Sequence, residues 1–345
     1  MHLLLFIACQ ASSPQPTEEK TTLTIPKVKP SDQRLREADQ VAAADLDGDG
    51  QDELIFFHNG AIYWNENREP LEGGLQAFVR SDVDDNGKEE LLFATGFSKE
   101  FRQAPKSVLQ LTDQGITTIW TEEASQSRIS DIAVSNGEIF LSVFSEKTNI
   151  QGGWLRNGQF KPDTIYNMAT KQKPLGESIV ISRLYGDIGT EHGDLRIKTG
   201  PSEKMLPTLR GVREMILHDL NADGHQDILL ADGWHRQYSA MAKARVVLYL
   251  GPDFTDVRTL ATFDQDYTVN RIEVERLEDS SAQRTPRILV QASQHSYLLE
   301  LDAVGWKTTE ISKIKANGSA VFCYSDTTTS ILISGRESIN HFLDD

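Results

Sequence analysis

From Gln40 onward, the chain alternates short apolar runs with clusters of turn residues, and no segment shows a long amphipathic helical pattern. Runs such as Leu54–Phe57, Leu91–Ala94 and Ile228–Ala231 are typical of buried strands. Asn-Gly pairs at 59–60, 136–137 and 157–158 are typical of the tight turns that join the two strands of a hairpin. The pattern therefore predicts an all-β fold built from many short strands.

An acidic segment stands directly before each of those three apolar runs, and the three segments share one pattern. Counted from the first Asp, positions 1, 3 and 5 carry side-chain oxygens, position 6 is Gly and position 9 is an acid. We expect the side chains at positions 1, 3, 5 and 9, and the backbone carbonyl at position 7, to bind a metal. These residues are Asp45, Asp47, Asp49, Gln51 and Glu53 in loop 1, Asp82, Asp84, Asn86, Lys88 and Glu90 in loop 2, and Asp219, Asn221, Asp223, His225 and Asp227 in loop 3.

The chemistry of these loops favours calcium. Closely spaced carboxylates repel one another unless a cation lies among them, and Ca²⁺ accepts six to eight oxygen ligands in a flexible geometry. The alternative is the EF-hand, which needs a Glu at position 12 and a helix on each side. Position 12 is Phe56, Phe93 or Leu230, each inside an apolar run. We therefore expect each loop to join two strands and the chain to hold about three calcium ions.

The three loops resemble the FG-GAP or VCBS-type repeat of calcium-binding β-propellers. In that family the Asp-rich loop lies between the first two strands of a blade. The resemblance is carried by the three loops and is weak elsewhere in the chain. It implies an all-β fold of the β-propeller class with calcium-binding loops in some blades, and it implies no reaction.

Degenerate copies of the repeat suggest the number of blades. Seven candidate blade starts can be recognised, near Asp45, Asp82, Asp131, Asp187, Asp219, Leu277 and Asp326. We therefore expect seven blades, with six and eight as the alternatives. The last candidate blade is short, and the strand-like segment Thr22–Ile25 is a candidate for the strand that completes it and closes the ring.

The charge and the N-terminus bear on location and partners. The chain has 345 residues and a formal net charge of −16, which argues against nucleic-acid binding because phosphates require Lys and Arg. The apolar run before Cys9 resembles a bacterial lipoprotein signal, in which Cys9 would be lipidated; an ordinary exported N-terminus is the alternative. We predict a signal peptide over 1–9, a flexible tether over 10–38 and the propeller over 39–345. The expected protein is a monomer of the bacterial cell envelope, as an outer-membrane lipoprotein or a surface or periplasmic protein, with its only membrane contact through the lipid anchor.

No recognisable catalytic motif occurs in the sequence. The acids of the loops are explained by metal, and Asp52, Asp85 and Glu89 fall between ligand positions and are expected to face solvent. We therefore expect a non-enzymatic module that binds a protein or a glycan. The alternatives are a carbohydrate-active or other enzyme with its site at the propeller channel, and a structural scaffold of an envelope complex. A channel cluster of acids and His would favour the enzyme, and an exposed aromatic patch on one rim would favour binding.

One insert is the candidate ligand loop. It follows the strand after loop 3 and brings together aromatic and basic side chains, which are enriched at binding hot spots. Its members are Trp234, His235, Arg236 and Tyr238. The alternative interpretation is that Trp234 and Tyr238 pack between blades.

Overall fold

The structure is a computed structural model, and it describes residues 38–98, 101, 103–123, 128–144, 149–167, 169–183, 194–208, 212–232, 243–266, 268–277, 285–313, 320–325 and 328–333. All regular secondary structure within these ranges is β-strand. Most of the strands form four-stranded antiparallel sheets, in each of which strands adjacent in sequence are adjacent in the sheet. The all-β prediction is confirmed.

The first three sheets follow one another along the chain, and each forms one blade. Blade 1 comprises β1 (Gln40–Ala44), β2 (Glu53–His58), β3 (Ala61–Trp64) and β4 (Asn67–Pro70). Blade 2 comprises β5 (Gly74–Ser81), β6 (Glu90–Gly96), β7 (Lys106–Thr112) and β8 (Gly115–Glu122). Blade 3 comprises β9 (Arg128–Ser135), β10 (Glu138–Phe144), β11 (Asn149–Arg156) and β12 (Gln159–Asn167).

The next three sheets repeat this arrangement, and a two-stranded sheet follows them. Blade 4 comprises β13 (Ala169–Leu175), β14 (Ser178–Arg183), β15 (Asp194–Thr199) and β16 (Ser202–Pro207). Blade 5 comprises β17 (Glu214–His218), β18 (Asp227–Asp232), β19 (Ala244–Tyr249) and β20 (Val257–Phe263). Blade 6 comprises β21 (Val269–Val274), β22 (Ile288–Ala292), β23 (His295–Leu301) and β24 (Trp306–Lys313), and the final hairpin comprises β25 (Ala320–Ser325) and β26 (Thr328–Ile333).

The turns between strands follow the sequence signals. The Asn-Gly pairs at 59–60, 136–137 and 157–158 join β2 to β3, β9 to β10 and β11 to β12. Asn and Gly both have positive φ in each pair, for example 48° at Asn59 and 67° at Gly60. A type I′ turn requires this conformation at both central residues, and its twist matches that of the flanking strands. The hairpin predictions at these three positions are confirmed.

The hydrophobic core lies between blades, because the two faces of each sheet pack against its neighbours. One apolar cluster joins blades 1 and 2 through residues such as Ile55 and Phe93. Equivalent clusters join blades 2 and 3, 3 and 4, 4 and 5, and 5 and 6. The middle strands β6 and β18 are buried along their whole length, which explains why their sequences are continuous apolar runs rather than alternating ones. This radial repetition of packed sheets is a β-propeller.

The blade count predicted from the sequence is wrong, because six four-stranded blades, not seven, are present in the described ranges. Of the seven candidate starts, Asp187 lies between the second and third strands of blade 4, in the interval 184–193 outside the described residues. The start near Asp326 belongs to the hairpin β25–β26, which has only two strands. That hairpin packs on blade 6 through Phe322 and Tyr324 and on blade 1 through Val321 and Cys323. It thus fills the gap between the last and the first blade.

The N-terminal predictions fall outside the described residues. These are the signal peptide over 1–9 with Cys9, the tether over 10–38 except for its last residue, and the closing strand Thr22–Ile25. Within the described ranges, no helix has the length and apolar character needed to cross a bilayer.

Candidate functional site

Each of the three acidic loops joins the first and second strands of a blade. Loop 1 connects β1 to β2, loop 2 connects β5 to β6, and loop 3 connects β17 to β18. In all three the carboxylate at position 1 accepts a hydrogen bond from the N–H of the Gly at position 6. The N···O distances are 3.0 Å from Gly50 to Asp45, 2.8 Å from Gly87 to Asp82 and 2.8 Å from Gly224 to Asp219. The repeated sequence pattern therefore corresponds to a repeated local structure.

Two further hydrogen bonds recur in each loop. The side-chain oxygen at position 5 accepts the N–H of position 7, at 2.8 Å in every loop, from Gln51, Lys88 and His225. The acid at position 9 accepts the N–H of position 2, which draws the end of the loop back to its start. These bonds are Leu46 to Glu53 at 2.8 Å, Val83 to Glu90 at 2.8 Å and Leu220 to Asp227 at 3.0 Å.

The Gly at position 6 is required by backbone conformation rather than by space. Gly50, Gly87 and Gly224 have φ values of 87°, 83° and 85°. A Cβ added at any of the three would meet no atom within 4 Å. A side chain would thus fit but would put an L-residue at a positive φ that glycine adopts most readily. The loop fold consequently depends on these three glycines.

Loops 1 and 2 bring together oxygen atoms that fit a cation. Carboxylate oxygens of Asp45, Asp47 and Asp49 lie within 4.8 Å of one another in loop 1. Oxygens of Asp82, Asp84 and Glu90 do so in loop 2. These are hard oxygen ligands of the type that Ca²⁺ prefers, so the residues present fit the ion that the sequence suggests.

Loop 3 differs from the other two, and no cluster of three acids of this kind occurs among its fully described residues. Asn221 replaces Asp at position 3, and its Nδ2 donates to Asp223 Oδ2 at 2.8 Å. Its Oδ1 accepts the N–H of Asp223 at 3.2 Å. The structure therefore supports two acidic clusters rather than the three sites expected from the sequence.

The electrostatics of the loops also fit a cation. Burial raises the pKa of Glu53, and the neighbouring Asp47, Asp45 and Asp49 raise it further, against the opposing effect of the hydrogen bond from Leu46. Burial likewise raises the pKa of Glu90 and of Asp227, and nearby loop carboxylates add to the rise. Each loop thus holds an acid whose negative charge is disfavoured by its surroundings, and a bound cation would relieve that cost.

The first two loops touch each other. The Glu89 N–H donates to the Asp45 carbonyl at 2.8 Å, and the Asp45 N–H donates to Glu89 Oε2 at 3.3 Å. A Cβ on Gly48 would lie 3.0 Å from the Lys88 side chain. The two candidate metal sites therefore share a direct backbone contact between blades 1 and 2, and we expect ion binding at one to affect the other.

The expectation that Asp52 and Glu89 face solvent is wrong, because both belong to a buried ionic network. The Asp52 side chain is 0 % exposed and lies 3.6 Å from Arg80 and 3.3 Å from Arg276. Glu89 lies 2.8 Å from Arg276 and its side chain is 18 % exposed. Burial removes the Asp52 carboxylate from water and raises its pKa to about 6, although the nearby Arg80 acts to lower it. Asp85 is exposed, as expected.

This network also includes the final hairpin. The Asp52 N–H donates to the Tyr324 carbonyl at 2.8 Å, and the Tyr324 N–H donates to Asp52 Oδ2 at 2.9 Å. The guanidinium carbons of Arg80 and Arg276 lie 5.4 and 4.4 Å from the centre of the Tyr324 ring, within the range of cation–π attraction. We call Asp52, Arg80, Arg276 and Tyr324 the closure cluster, since it joins blades 1, 2 and 6 to the hairpin.

A central channel is the second candidate site. The first strand of each blade and β25 surround a cavity of about 610 Å³. Five cationic side chains line it, namely Arg80, Lys171, Lys173, Arg213 and Arg271, against the three carboxylates Asp131, Glu214 and Glu273. His218, Gln76, Asn270 and Gln291 also line it. The channel is therefore polar, with an excess of positive charge in a protein whose formal net charge is −16.

The carboxylates of the channel are paired with cations. Lys171 Nζ lies 2.9 Å from Glu214 and 3.3 Å from Asp131, and Lys173 Nζ lies 3.4 Å from Asp131. Burial alone would lower the pKa of Lys171, but Asp131 and Glu214 more than compensate and raise it. Glu273 pairs with Arg80 at 3.3 Å.

Sequence reasoning missed these channel residues, although a signal was present. Polar residues recur on one face of the first strands: Gln76 and Arg80 lie two positions to either side of Phe78 in β5, and Glu214 and His218 lie two positions to either side of Ile216 in β17. Period-two alternation puts such residues on one side of a strand. In a propeller that side of the innermost strand lines the channel. Once the fold is known, the pattern therefore predicts which residues line the channel.

The candidate ligand loop lies outside the described residues. Trp234, His235, Arg236 and Tyr238 fall in the interval 233–242. Asp232, the last residue of β18, and Arg245 in β19 bracket the insert and form an ion pair at 2.8 Å. The prediction that this insert binds a ligand stays a prediction.

Comparison with known proteins identifies the fold. No protein-family model matches the sequence, and no curated protein matches it. Among solved structures, BBS1N in complex with ARL6DN matches with a TM-score of 0.52 and 11% identity, over 87% of this chain and 88% of that one. The extracellular domain of a one-component system of B. thetaiotaomicron matches with a TM-score of 0.45 and 10% identity, over 79% of this chain and 33% of that one. Together with the six blades, the first of these similarities shows that the chain has a β-propeller fold.

Proposed function

We propose that this protein is a calcium-stabilised β-propeller of the FG-GAP or VCBS type that acts as a non-enzymatic binding or protein-interaction module. The observation that carries the proposal is the repeated loop structure, in which two loops gather three carboxylates each within 4.8 Å. Calcium at these loops would fix the ends of the first strands of blades 1 and 2. The complex of BBS1N with ARL6DN illustrates a binding role for a chain of the same fold.

The channel bears on the choice between binding and catalysis. It contains acids and His218, which is the arrangement that would favour an enzyme. Each of its three carboxylates, however, lies within 3.4 Å of a Lys or Arg nitrogen. General acid–base catalysis needs a group with a tuned pKa within reach of the substrate proton, and carboxylates tied in ion pairs are better suited to recognition by charge. An enzyme acting at the channel is therefore the second candidate.

A pull-down in the presence and absence of calcium tests the binding role. We expect the immobilised chain to capture an envelope protein or glycan in about 1 mM calcium and to release it in chelator, because the loops lose order without the ion. The Asp45→Ala variant, with one loop impaired, should retain less of the same partner, and Glu69→Ala on the exposed outer strand β4 should retain all of it. Turnover of an envelope polysaccharide by the purified chain would instead support the enzyme.

A stoichiometric complex that survives chelation would support the structural scaffold. In that case the ion would stabilise the blades without controlling the contact with the partner. The same pull-down reports this outcome, because the captured complex would be eluted intact from both calcium and chelator.

We further propose that the chain is anchored in a bacterial envelope through Cys9. Labelled fatty acid should be incorporated into the wild-type chain and not into Cys9→Ala, and the variant should leave the membrane fraction. The second cysteine, Cys323, serves as an internal control because it is buried in the propeller and should carry no lipid in either protein. A wild-type chain that is freely soluble and unlabelled would contradict the anchor.

A further inference from the structure

The side chain of Arg271 extends from blade 6 to an aromatic ring of blade 2. Arg271 lies on β21, and its guanidinium carbon lies 4.0 Å from the centre of the Phe78 ring on β5. Phe78 stacks in turn on Phe57, with ring centres 5.7 Å apart. Arg271 and Phe78 both line the channel cavity, and both are partly exposed. Stacking holds the plane of the guanidinium and does not use its N–H groups.

Arg271 has no carboxylate partner of the kind that the neighbouring cations have. Among the described residues, no carboxylate oxygen lies within 4.0 Å of its guanidinium, whereas Arg80 and Lys171 contact carboxylates at 3.3 and 2.9 Å. Burial lowers the pKa of Arg271, and the attraction of Glu273 and Glu214 does not compensate. Carboxylates in contact with Arg80 and Lys171 raise the pKa of both, although burial acts to lower it. The charge of Arg271 is therefore one that an added anion would stabilise.

A second guanidinium of the same cavity is also unpaired. Arg213 directly precedes β17, is exposed, and contacts no carboxylate among the residues that the structure describes. Five Lys and Arg side chains line the cavity, against three Asp and Glu side chains. Those three carboxylates form ion pairs with Lys171, Lys173 and Arg80. The excess positive charge of the channel therefore lies on Arg271 and Arg213.

From the unpaired guanidinium, its fixed stack and the excess of cations, we propose that the central channel binds a small oxyanion, that is, a molecule with a carboxylate or a phosphate group. The anionic group pairs with Arg271, whose planar guanidinium can offer two parallel N–H donors to either oxyanion. The exposed Arg213 attracts the anion as it enters. The cavity of about 610 Å³ lies within the size range of small-molecule sites. This site is separate from the acidic loops and does not depend on their binding calcium.

Titration of the full-length chain at constant ionic strength, followed by calorimetry, tests the proposal. Succinate is the carboxylate probe, inorganic phosphate is the phosphate probe, and succinamide is the uncharged analogue of succinate. We expect saturable binding of at least one of the two anions and no binding of succinamide, because the unpaired guanidiniums recognise negative charge. Binding of succinate alone would identify a carboxylate as the ligand group, binding of phosphate alone would identify a phosphate, and binding of both would support the chemistry that they share.

Substitutions of Arg271 locate the site. Arg271→Gln should weaken binding of the anion about tenfold or more, the scale of losing a hydrogen bond between charged groups. Arg271→Lys keeps the charge but not the planar donors, so its affinity should lie between those of the wild type and Arg271→Gln. Lys307→Gln, which removes one exposed charge from the outer strand β24, should bind as the wild type does. If Arg271→Gln does not fold, Arg213→Gln is a second variant at an exposed position, and it should also weaken binding.

Three results would overturn the proposal. They are no binding of either anion at about 10 mM, binding by a folded Arg271→Gln chain that is as tight as that of the wild type, and binding of succinamide that is as tight as that of succinate. Metal-free buffer for these titrations is prepared with a chelating resin, because dissolved chelators are themselves carboxylates. Succinate should bind equally well there and in about 1 mM calcium, so the anion site would stand even if the acidic loops proved to bind no ion.

Discussion

Replacing Asp52 with Ala is expected to lower the free energy of unfolding by about 3–5 kcal/mol, the usual cost of removing one partner from a buried ion pair. The substitution would leave Arg80 and Arg276 without the carboxylate that lies 3.6 and 3.3 Å away. It would also remove the acceptor of the Tyr324 N–H, which holds the final hairpin to blade 1. Asp52→Asn should cost less, because an amide oxygen can still accept that hydrogen bond.

Denaturant unfolding of three proteins measures this effect. Glu69→Ala, on the exposed outer strand β4, is the control and should change stability by less than about 0.5 kcal/mol. The measurement should be made in calcium and in chelator, and the loss for Asp52→Ala should persist in chelator because Asp52 stabilises the ring by ion pairing and not as a metal ligand. An Asp52→Ala chain as stable as Glu69→Ala would show that the closure cluster does not hold the ring together.

Calcium is expected to raise the melting temperature of chelator-treated protein by several degrees. With a dissociation constant of about 10⁻⁴ M, typical of extracellular calcium modules, about 1 mM calcium would add on the order of 1–2 kcal/mol for each site. Asp45→Ala and Asp82→Ala should each lose the part of this calcium-dependent stabilisation that one site contributes. Because loops 1 and 2 touch through Asp45 and Glu89, the double variant should lose an amount that differs from the sum.

Loop 3 gives an internal comparison for this experiment. Asp219→Ala should reduce the calcium-dependent rise less than Asp45→Ala does, because Asn221 already bonds to Asp223 and the loop gathers no cluster of three acids. Glu69→Ala should retain the whole rise. Equal melting temperatures of the wild type in calcium and in chelator would contradict the metal assignment of all three loops.

The parts of the fold that could be predicted from sequence were those with local causes. The Asn-Gly turns, the apolar middle strands and the position of each acidic loop between two strands follow from residues near one another in the chain. That these are the first two strands of a blade was implied by the resemblance to the FG-GAP or VCBS-type repeat. The conformation at Gly50, Gly87 and Gly224 is equally local, because it is set by φ. Each of these features occurs several times in the sequence, and this repetition made the pattern recognisable.

The errors had non-local causes. Asp52 looked like an exposed loop acid because its partners, Arg276 and Tyr324, are brought to it only when the ring closes. The seventh blade was expected because Asp326 resembles a blade start, but the part of the chain that the structure describes contains a two-stranded hairpin there. The channel cations were missed because their significance depends on which strand of each blade is innermost.

The number of calcium ions bound by each chain is the measurement that tests the account most directly. Equilibrium dialysis against about 1 mM calcium, followed by metal analysis, should find two ions per chain, or three if loop 3 also fills, and the Asp45→Ala/Asp82→Ala double variant should lose both of the first two. A folded wild-type chain that binds no calcium at this concentration would contradict the claim that the acidic loops are calcium sites that stabilise the propeller.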